Sequence, residues 1–122
     1  MTAIHGRAAT IETAIRHVMP NGMVALLQRN PSSPIVTVRG EVRVGAVHES
    51  AEQNGLAVFT GAALIRGTQS RTFQQIVAET EALGASVNAG GGLHSSGFAG
   101  RALAEDLGLI LEILAEMIQR PT

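Results

Sequence analysis

The sequence predicts an α+β fold in which helices pack on one face of a largely antiparallel sheet. Apolar and polar residues alternate along residues 36–44, which is the pattern of a strand with one buried face. Apolar residues recur at helical spacing along residues 103–118, which is the pattern of a helix with one buried face. Turn signals between these segments predict the element order strands, helix, helix, strands, helix.

Composition excludes several kinds of partner and chemistry. The nine positive residues are scattered arginines and the net charge is -1, so nucleic-acid binding has no support. The chain has no cysteine, hence no disulfide and no thiolate nucleophile. No apolar run approaches the ~20 residues that span a membrane, and no signal peptide is visible. We therefore expect a cytoplasmic protein with residues 1–122 as one domain and residues 1–9 as a disordered N-terminus.

The first third of the chain predicts a hairpin and a strand. Asn21-Gly22 lies between apolar segments at residues 11–18 and 23–28, which indicates a hairpin with a type I′ turn. Asparagine, proline and serine make residues 30–34 a loop. The alternating strand at residues 36–44 follows this loop and places its valines on one face.

The middle of the chain predicts a buried helix. Ser50 and Gln53 have the spacing of a capping box, so the helix should follow directly and end near Arg66, before Gly67. Its apolar residues occupy nearly the whole circumference, which is typical of a buried helix. Gly61 costs this helix about 1 kcal/mol relative to alanine. We interpret it as a point of close packing.

The following segment predicts a second helix and two short strands. Thr72 and Gln75 form another capping box, and Gly84 ends the helix that it opens. Strands are predicted at residues 86–89 and 95–99. The three glycines at residues 90–92 would form a flexible connection between them.

The last helix has the clearest buried face in the sequence. Glu116 and Arg120 have the spacing of an i,i+4 ion pair on its surface. The predicted buried face consists of Leu103, Leu107, Ile110, Leu111, Leu114, Met117 and Ile118.

Residues 55–68 resemble the motif-bearing helix of the insulinase/pitrilysin-like zinc peptidases, the family of the mitochondrial processing peptidases. Active members carry H-x-x-E-H in this helix, with histidine ligands at i and i+4 and glutamate as general base. This chain has Val58 and Ala62 at the histidine positions and Gly61 at the glutamate position. Zinc requires lone-pair donors, which neither Val58 nor Ala62 provides. We therefore predict no metal site, no cofactor and no catalytic residue in this chain.

The resemblance extends over most of the chain from Thr10 onward. In the family, the remaining zinc ligand lies further downstream than Thr122. The chain therefore looks like the first half of one family unit, and its single domain is expected to be incomplete. The similar segments are residues 19–27, 42–49, 67–73, 81–89 and 102–107.

The resemblance implies a non-catalytic unit that supports or pairs with an active metallopeptidase subunit in peptide degradation or processing, with zinc only in that partner. Substrate peptides of the family add as a strand to a sheet edge, and Asn88 and Ala89 match the positions of that edge strand. A stand-alone structural or peptide-binding module, with no peptidase partner, is the alternative. We also expect self-association, because an incomplete unit leaves apolar surface and a strand edge uncovered.

Other candidate sites have simpler interpretations. The four histidines share no helical spacing, so solvated or locally bonded side chains are the simpler interpretation. His94 precedes Ser95, but no carboxylate lies nearby in sequence to complete a nucleophilic arrangement. The glycines at residues 90–92 lack the rest of a phosphate-binding motif, and the chain has no lysine. The histidines are His5, His17, His48 and His94.

Overall fold

The computed structural model describes residues 14–122, so the prediction for residues 1–9 falls outside the described residues. The chain divides into two compact units, one ending at Ser33 and the other comprising Pro34–Thr122. Antiparallel strands and packed helices confirm the predicted α+β class. Within residues 14–122, no helix has both the length and the apolar character needed to cross a membrane.

The first unit contains a hairpin of β1 (Ile15–Val18) and β2 (Val24–Leu27). The predicted type I′ turn is wrong, because only Gly22 has a positive φ (85°) and Asn21 does not. The Gly22 N–H donates to the Met19 carbonyl at 2.9 Å. This geometry fits a type I turn followed by a left-handed glycine, which gives a longer loop than a type I′ turn.

The second unit is built on a three-stranded antiparallel sheet in which the last strand lies in the centre. Val36 and Val38 are half-buried while Thr37 and Arg39 are exposed, which confirms the predicted alternation in the first part of the strand. Its continuation to residue 44 is wrong, because the strand ends at Val42 and both Val42 and Val44 are exposed. The order across the sheet is β3 (Ile35–Val42), β5 (Ser96–Leu103) and β4 (Ser86–Gly91).

The predicted flexible connection at residues 90–92 is wrong for its first two glycines. Gly90 and Gly91 are the last residues of β4 and pair with Gly97 and Ser96 of β5. Both strands are longer than predicted. Glycine has a low strand propensity, so the sequence pattern ended the strands too early, whereas pairing in the sheet extends them.

Three helices cover one face of this sheet: α1 (Leu56–Ala63), α2 (Phe73–Ala82) and α3 (Leu107–Gln119). The covered face carries Val38, Val87 and Phe98, which pack against the buried core. The core consists of Ile76, Ala102, Ile110, Ile113, Leu114 and Met117.

Helix α1 begins later than predicted. The Ser50–Gln53 capping box forms, but it closes a separate 3-10 turn at Ala51–Gln53. The chain then changes direction at Gly55, whose φ of 93° is left-handed, and α1 starts at the next residue. Its end is as predicted, because a 3-10 turn at Leu64–Arg66 continues it to Gly67.

The predicted burial of this helix is wrong. Val58 is 56% exposed and Phe59 is 74% exposed, and Gly61 is the residue of α1 that is buried. Helix α1 meets the sheet through a narrow backbone contact at the end of β4, so most of its apolar circumference remains uncovered.

Helices α2 and α3 follow the sequence pattern more closely. The capping box of α2 is confirmed, since the Gln75 N–H donates to Thr72 Oγ1 at 3.3 Å and Gln75 Oε1 accepts from the Thr72 N–H at 2.8 Å. On α3, the prediction missed Ile113, which is fully buried, and Leu111 is exposed. Leu103 belongs to β5, because pairing with β3 extends to this residue.

The predicted Glu116–Arg120 ion pair is wrong, because Glu116 pairs with Arg71 instead. Arg71 Nη1 and Glu116 Oε1 form an ion pair at 2.6 Å. The same guanidinium reaches Glu79 at 2.9 Å and Glu112 at 3.2 Å. One arginine thereby connects the loop before α2 to α2 and α3.

This network shifts the ionisation of both central partners. Hydrogen bonding by Arg71 lowers the pKa of Glu116 against the opposing effect of burial, and Thr68 Oγ1 adds a hydrogen bond to Glu116 Oε2 at 3.0 Å. The carboxylates, Glu116 foremost, raise the pKa of Arg71 further above its ordinary value. Both groups are therefore charged in the folded protein over the neutral range.

Candidate functional site

Helix α1 and strand β4 approach each other through glycine backbone. A Cβ added to Gly61 would overlap the backbone of Gly90 and Gly91, with the Gly90 Cα at 2.7 Å. A Cβ added to Gly91 would overlap the carbonyl of Ala57 and lie 2.7 Å from the Val58 nitrogen. The close packing predicted for Gly61 is therefore confirmed. This approach has no room for a side chain on either glycine.

The motif positions lie beside this contact. Val58 and Ala62 are both exposed and occupy the same side of α1, one turn apart. Gly61 faces β4 and has no side chain. The residues present do not fit a zinc ion, because zinc is held by nitrogen, sulfur or oxygen donors. In the described part of the chain, no group of three or more histidines and carboxylates converges elsewhere to replace them.

Strand β4 is an edge strand, paired only with β5 in the described residues. The Gly92 N–H donates to the Ser95 carbonyl at 3.0 Å, which sets the alternation of hydrogen-bonded pairs along this ladder. Asn88 therefore directs its backbone groups to β5. Ala89, in the non-bonded position, directs its N–H and C=O to the free edge.

The two predicted peptide-contact residues are thus neighbours with different capabilities. Ala89 offers backbone groups to an added strand, while its side chain packs toward the core. Asn88 offers an exposed side chain on the opposite face of the sheet, and its backbone is occupied by β5. Peptide binding by either residue stays a prediction.

Glu49 has a structural role that occupies its whole carboxylate. Its Oε2 accepts from the Gly55 N–H at 2.8 Å, and its Oε1 accepts from the Ala57 N–H at 2.6 Å. A carboxylate that accepts these otherwise unpaired N–H groups stabilises the first turn of α1. Glu49 therefore caps the N-terminus of α1 with its side chain.

Sequence reasoning missed the part that Gly91 plays in this site. A signal was present, because glycines inside a strand often mark the close approach of another backbone. The sequence analysis interpreted these glycines as a flexible connection, because three glycines in a row also favour a loop. The partner of this contact lies thirty positions earlier in the chain, which no local pattern reveals.

Comparison with known proteins identifies the family of this chain. The model of the insulinase family (peptidase family M16) matches residues 24–122. A mitochondrial-processing peptidase subunit beta of Neurospora crassa is 32% identical over 101 residues, 83% of this chain and 21% of that protein. An uncharacterized zinc protease of Rickettsia felis is 31% identical over 101 residues, 83% of this chain and 24% of that protein.

A solved structure has the same fold. The peptidase M16 inactive domain from Pseudomonas fluorescens superposes with a TM-score of 0.81 at 21% sequence identity, covering 91% of this chain and 27% of that one. The chain thus spans about a quarter of the length of the relatives it matches.

Proposed function

This chain belongs to the insulinase family of peptidases (peptidase family M16), and from that premise we propose that it is a non-catalytic unit that supports or pairs with an active zinc metallopeptidase subunit. It holds no zinc of its own, and the zinc of the pair resides in the partner. The observation that carries the proposal is the motif helix. Val58 and Ala62 offer no donor atom, and β4 backbone occupies the space beyond Gly61.

The relatives support the direction of this proposal. Two of them are described as a zinc protease and a processing peptidase subunit, and a solved relative is described as an inactive domain. Because the family contains inactive units, a unit without zinc ligands is able to pair with an active one. We propose the cytoplasm as the compartment, to be tested by cell fractionation.

Co-expression of this chain with a homologue that carries H-x-x-E-H tests the proposal. We expect the two to co-purify and peptide hydrolysis by the homologue to rise. The purified chain alone should contain no stoichiometric zinc by elemental analysis and should hydrolyse no peptide. Stoichiometric zinc in the isolated chain, or chelator-sensitive hydrolysis by it, would contradict the proposal, as would failure to associate with such homologues from the same cell.

A second candidate is a stand-alone module that binds extended peptides. The specific observation in its favour is the free edge of β4, where the N–H and C=O of Ala89 point away from β5. Strand addition takes its affinity from backbone hydrogen bonds and tolerates many sequences. This candidate requires no peptidase partner, and pull-down from the source cell distinguishes it from the first.

Replacing Ala89 with proline should weaken peptide binding roughly fivefold to tenfold, the effect of losing about 1 kcal/mol of hydrogen bonding. Proline is tolerated where the lost N–H faces outward from an edge strand. Fluorescence anisotropy with a labelled unfolded peptide would measure the change. Asn88→Ala, which keeps every backbone group, tests the Asn88 side chain separately and should weaken binding less than Ala89→Pro does. Equal affinities for Ala89→Pro and the unmodified chain would exclude binding at this edge.

A further inference from the structure

Within Pro34–Thr122, the three helices cover one face of the sheet and leave the other uncovered. The helices pack on the face that carries Val38, Val87 and Phe98, so the residues that alternate with these point to the opposite face. The pairing of the strands arranges that opposite face in three rows. The first row is Thr37, Arg101 and Ser86, the second is Arg39, Ala99 and Asn88, and the third is Glu41, Gly97 and Gly90.

The uncovered face carries two arginines without a counter-ion. Arg39 and Arg101 are both exposed, and in residues 14–122 neither guanidinium forms an ion pair. They are diagonal neighbours on paired strands. Glu41 is the carboxylate residue of the three rows, and it lies in the third row, away from Arg101. The surroundings of Arg101 are therefore positively charged and favour an acidic ligand.

The row that contains Arg101 ends at the free edge of β4. Ser86 lies directly opposite Arg101 and is the edge residue of that row. Because neighbouring strands are about 4.8 Å apart, a strand added beyond β4 would lie about 10 Å from β5. An extended arginine on β5 and a glutamate on the added strand together span this distance across the short serine side chain. Arg39 is one strand farther away, at about 14 Å from the added strand, and is beyond this reach.

The backbone groups at this edge determine which peptide side chains face Arg101. Val87 and Ala89 direct their N–H and C=O groups to the free edge. A strand that pairs through these groups places its residues opposite Ser86 and Asn88 on the uncovered face. Within residues 14–122, the Ser86 hydroxyl and the Asn88 amide have no hydrogen-bond partner. One cation and two neutral donors are thus available to a peptide carboxylate at this place.

We propose that the uncovered face selects acidic peptides, and that Arg101 is the residue that determines this specificity. An extended peptide added to β4 would pair a glutamate opposite Ser86 with the Arg101 guanidinium. The inference rests on the strand-addition candidate above and names its ligand as an acidic peptide. Backbone hydrogen bonds at Ala89 supply affinity that is independent of sequence. Glutamine has the same size as glutamate but carries no charge, so it gains less from Arg101.

Two labelled peptides that alternate threonine with either glutamate or glutamine test this selection on the full chain. Alternation directs every second side chain to one face, so the test does not depend on the register of the added strand. By fluorescence anisotropy at low salt, we expect the glutamate peptide to bind roughly fivefold more tightly than the glutamine peptide. Arg101→Gln should remove this difference and leave the affinity for the glutamine peptide unchanged.

Arg39→Gln is the matched control, because it removes the same charge from the same face one strand farther from the edge. This variant should keep the preference for the glutamate peptide. An equal loss of preference in Arg39→Gln and Arg101→Gln would overturn the proposal, because the selection would then come from the net charge of the face. Raised salt should weaken the preference, since it screens an exposed charge pair.

Ala89→Pro separates this inference from the strand-addition candidate. If Ala89→Pro weakens the binding of both peptides while the unmodified chain binds them equally, strand addition stands and the selection by Arg101 is overturned. If the unmodified chain binds neither peptide, or if Ala89→Pro changes the binding of neither, the strand-addition candidate fails and the inference fails with it. Weaker binding of both peptides by Ala89→Pro, with a preference that only Arg101→Gln removes, supports both.

Discussion

Gly61→Ala is expected to destabilise the protein by about 3 kcal/mol, the upper part of the range for overpacking a rigid site. The added methyl would overlap the backbone of Gly90 and Gly91, which cannot move aside as a flexible side chain can. In most helices the same change is stabilising, because alanine has a higher helix propensity than glycine. Urea denaturation followed by circular dichroism would measure the difference in unfolding free energy.

The β4 glycines provide matched controls for this prediction. Gly91→Ala should be as destabilising as Gly61→Ala, because its Cβ would overlap the Ala57 carbonyl. Gly90→Ala should be tolerated, since nothing lies within 4 Å of its Cβ position. If Gly61→Ala proved as stable as Gly90→Ala, the close contact between α1 and β4 would be wrong.

The contact between Gly61 and β4 also determines the result expected when the H-x-x-E-H motif is restored. Glutamate at position 61 requires even more space than alanine, so the triple variant Val58→His, Gly61→Glu, Ala62→His should fail to fold stably. The double variant Val58→His, Ala62→His changes only exposed residues and should keep its fold. Neither is expected to hydrolyse peptides, and hydrolysis by the triple variant would show that α1 can withdraw from β4.

Arg71→Met is expected to destabilise the protein by about 3 kcal/mol, the cost of breaking a largely buried ion pair by removing one partner. The Arg71 and Glu116 side chains are only 14% and 12% exposed, and Glu79 and Glu112 face the same guanidinium. The variant leaves three carboxylates without their shared cation. Arg101→Met, at an exposed position of β5, should change stability by less than about 0.5 kcal/mol.

The pH dependence of stability separates this charge effect from lost packing. The pKa of Glu116 is lower in the folded than in the unfolded protein, so the unfolded state binds more protons as the solution is acidified. The stabilisation is complete above the unfolded pKa of glutamate and is lost as pH falls toward the folded value. Arg71→Met should flatten this acid limb of the stability curve. An unchanged limb in the variant would assign the effect of Arg71 to packing alone.

Short-range patterns predicted many of the elements correctly. The alternation along β3 reports which residues share a face, because successive side chains of a strand point to opposite sides. The Thr72–Gln75 capping box forms because its two hydrogen bonds join residues three apart. The absence of zinc donors at positions 58 and 62 is likewise readable without a structure, since it depends only on side-chain chemistry.

Three of the errors share one physical origin. The exposure of Phe59, the strand conformation of Gly91 and the choice of Arg71 as partner for Glu116 each depend on segments distant in sequence. Periodicity shows that an element has an apolar face but does not show which other element covers it. Helix α1 has apolar residues around nearly its whole circumference, yet its close contact with the sheet lies where Gly61 faces Gly90 and Gly91.

The amino-acid sequence by itself determined the α+β class, the family resemblance and the loss of the metal-binding side chains. These follow from residue type and from spacings of two to four residues. Only the tertiary structure decided that Gly61 has no room for a side chain, that Ala89 directs its backbone to a free edge, and that one arginine joins three carboxylates. Each of these is set by how closely two distant pieces of backbone approach, and that distance is a property of the packed chain.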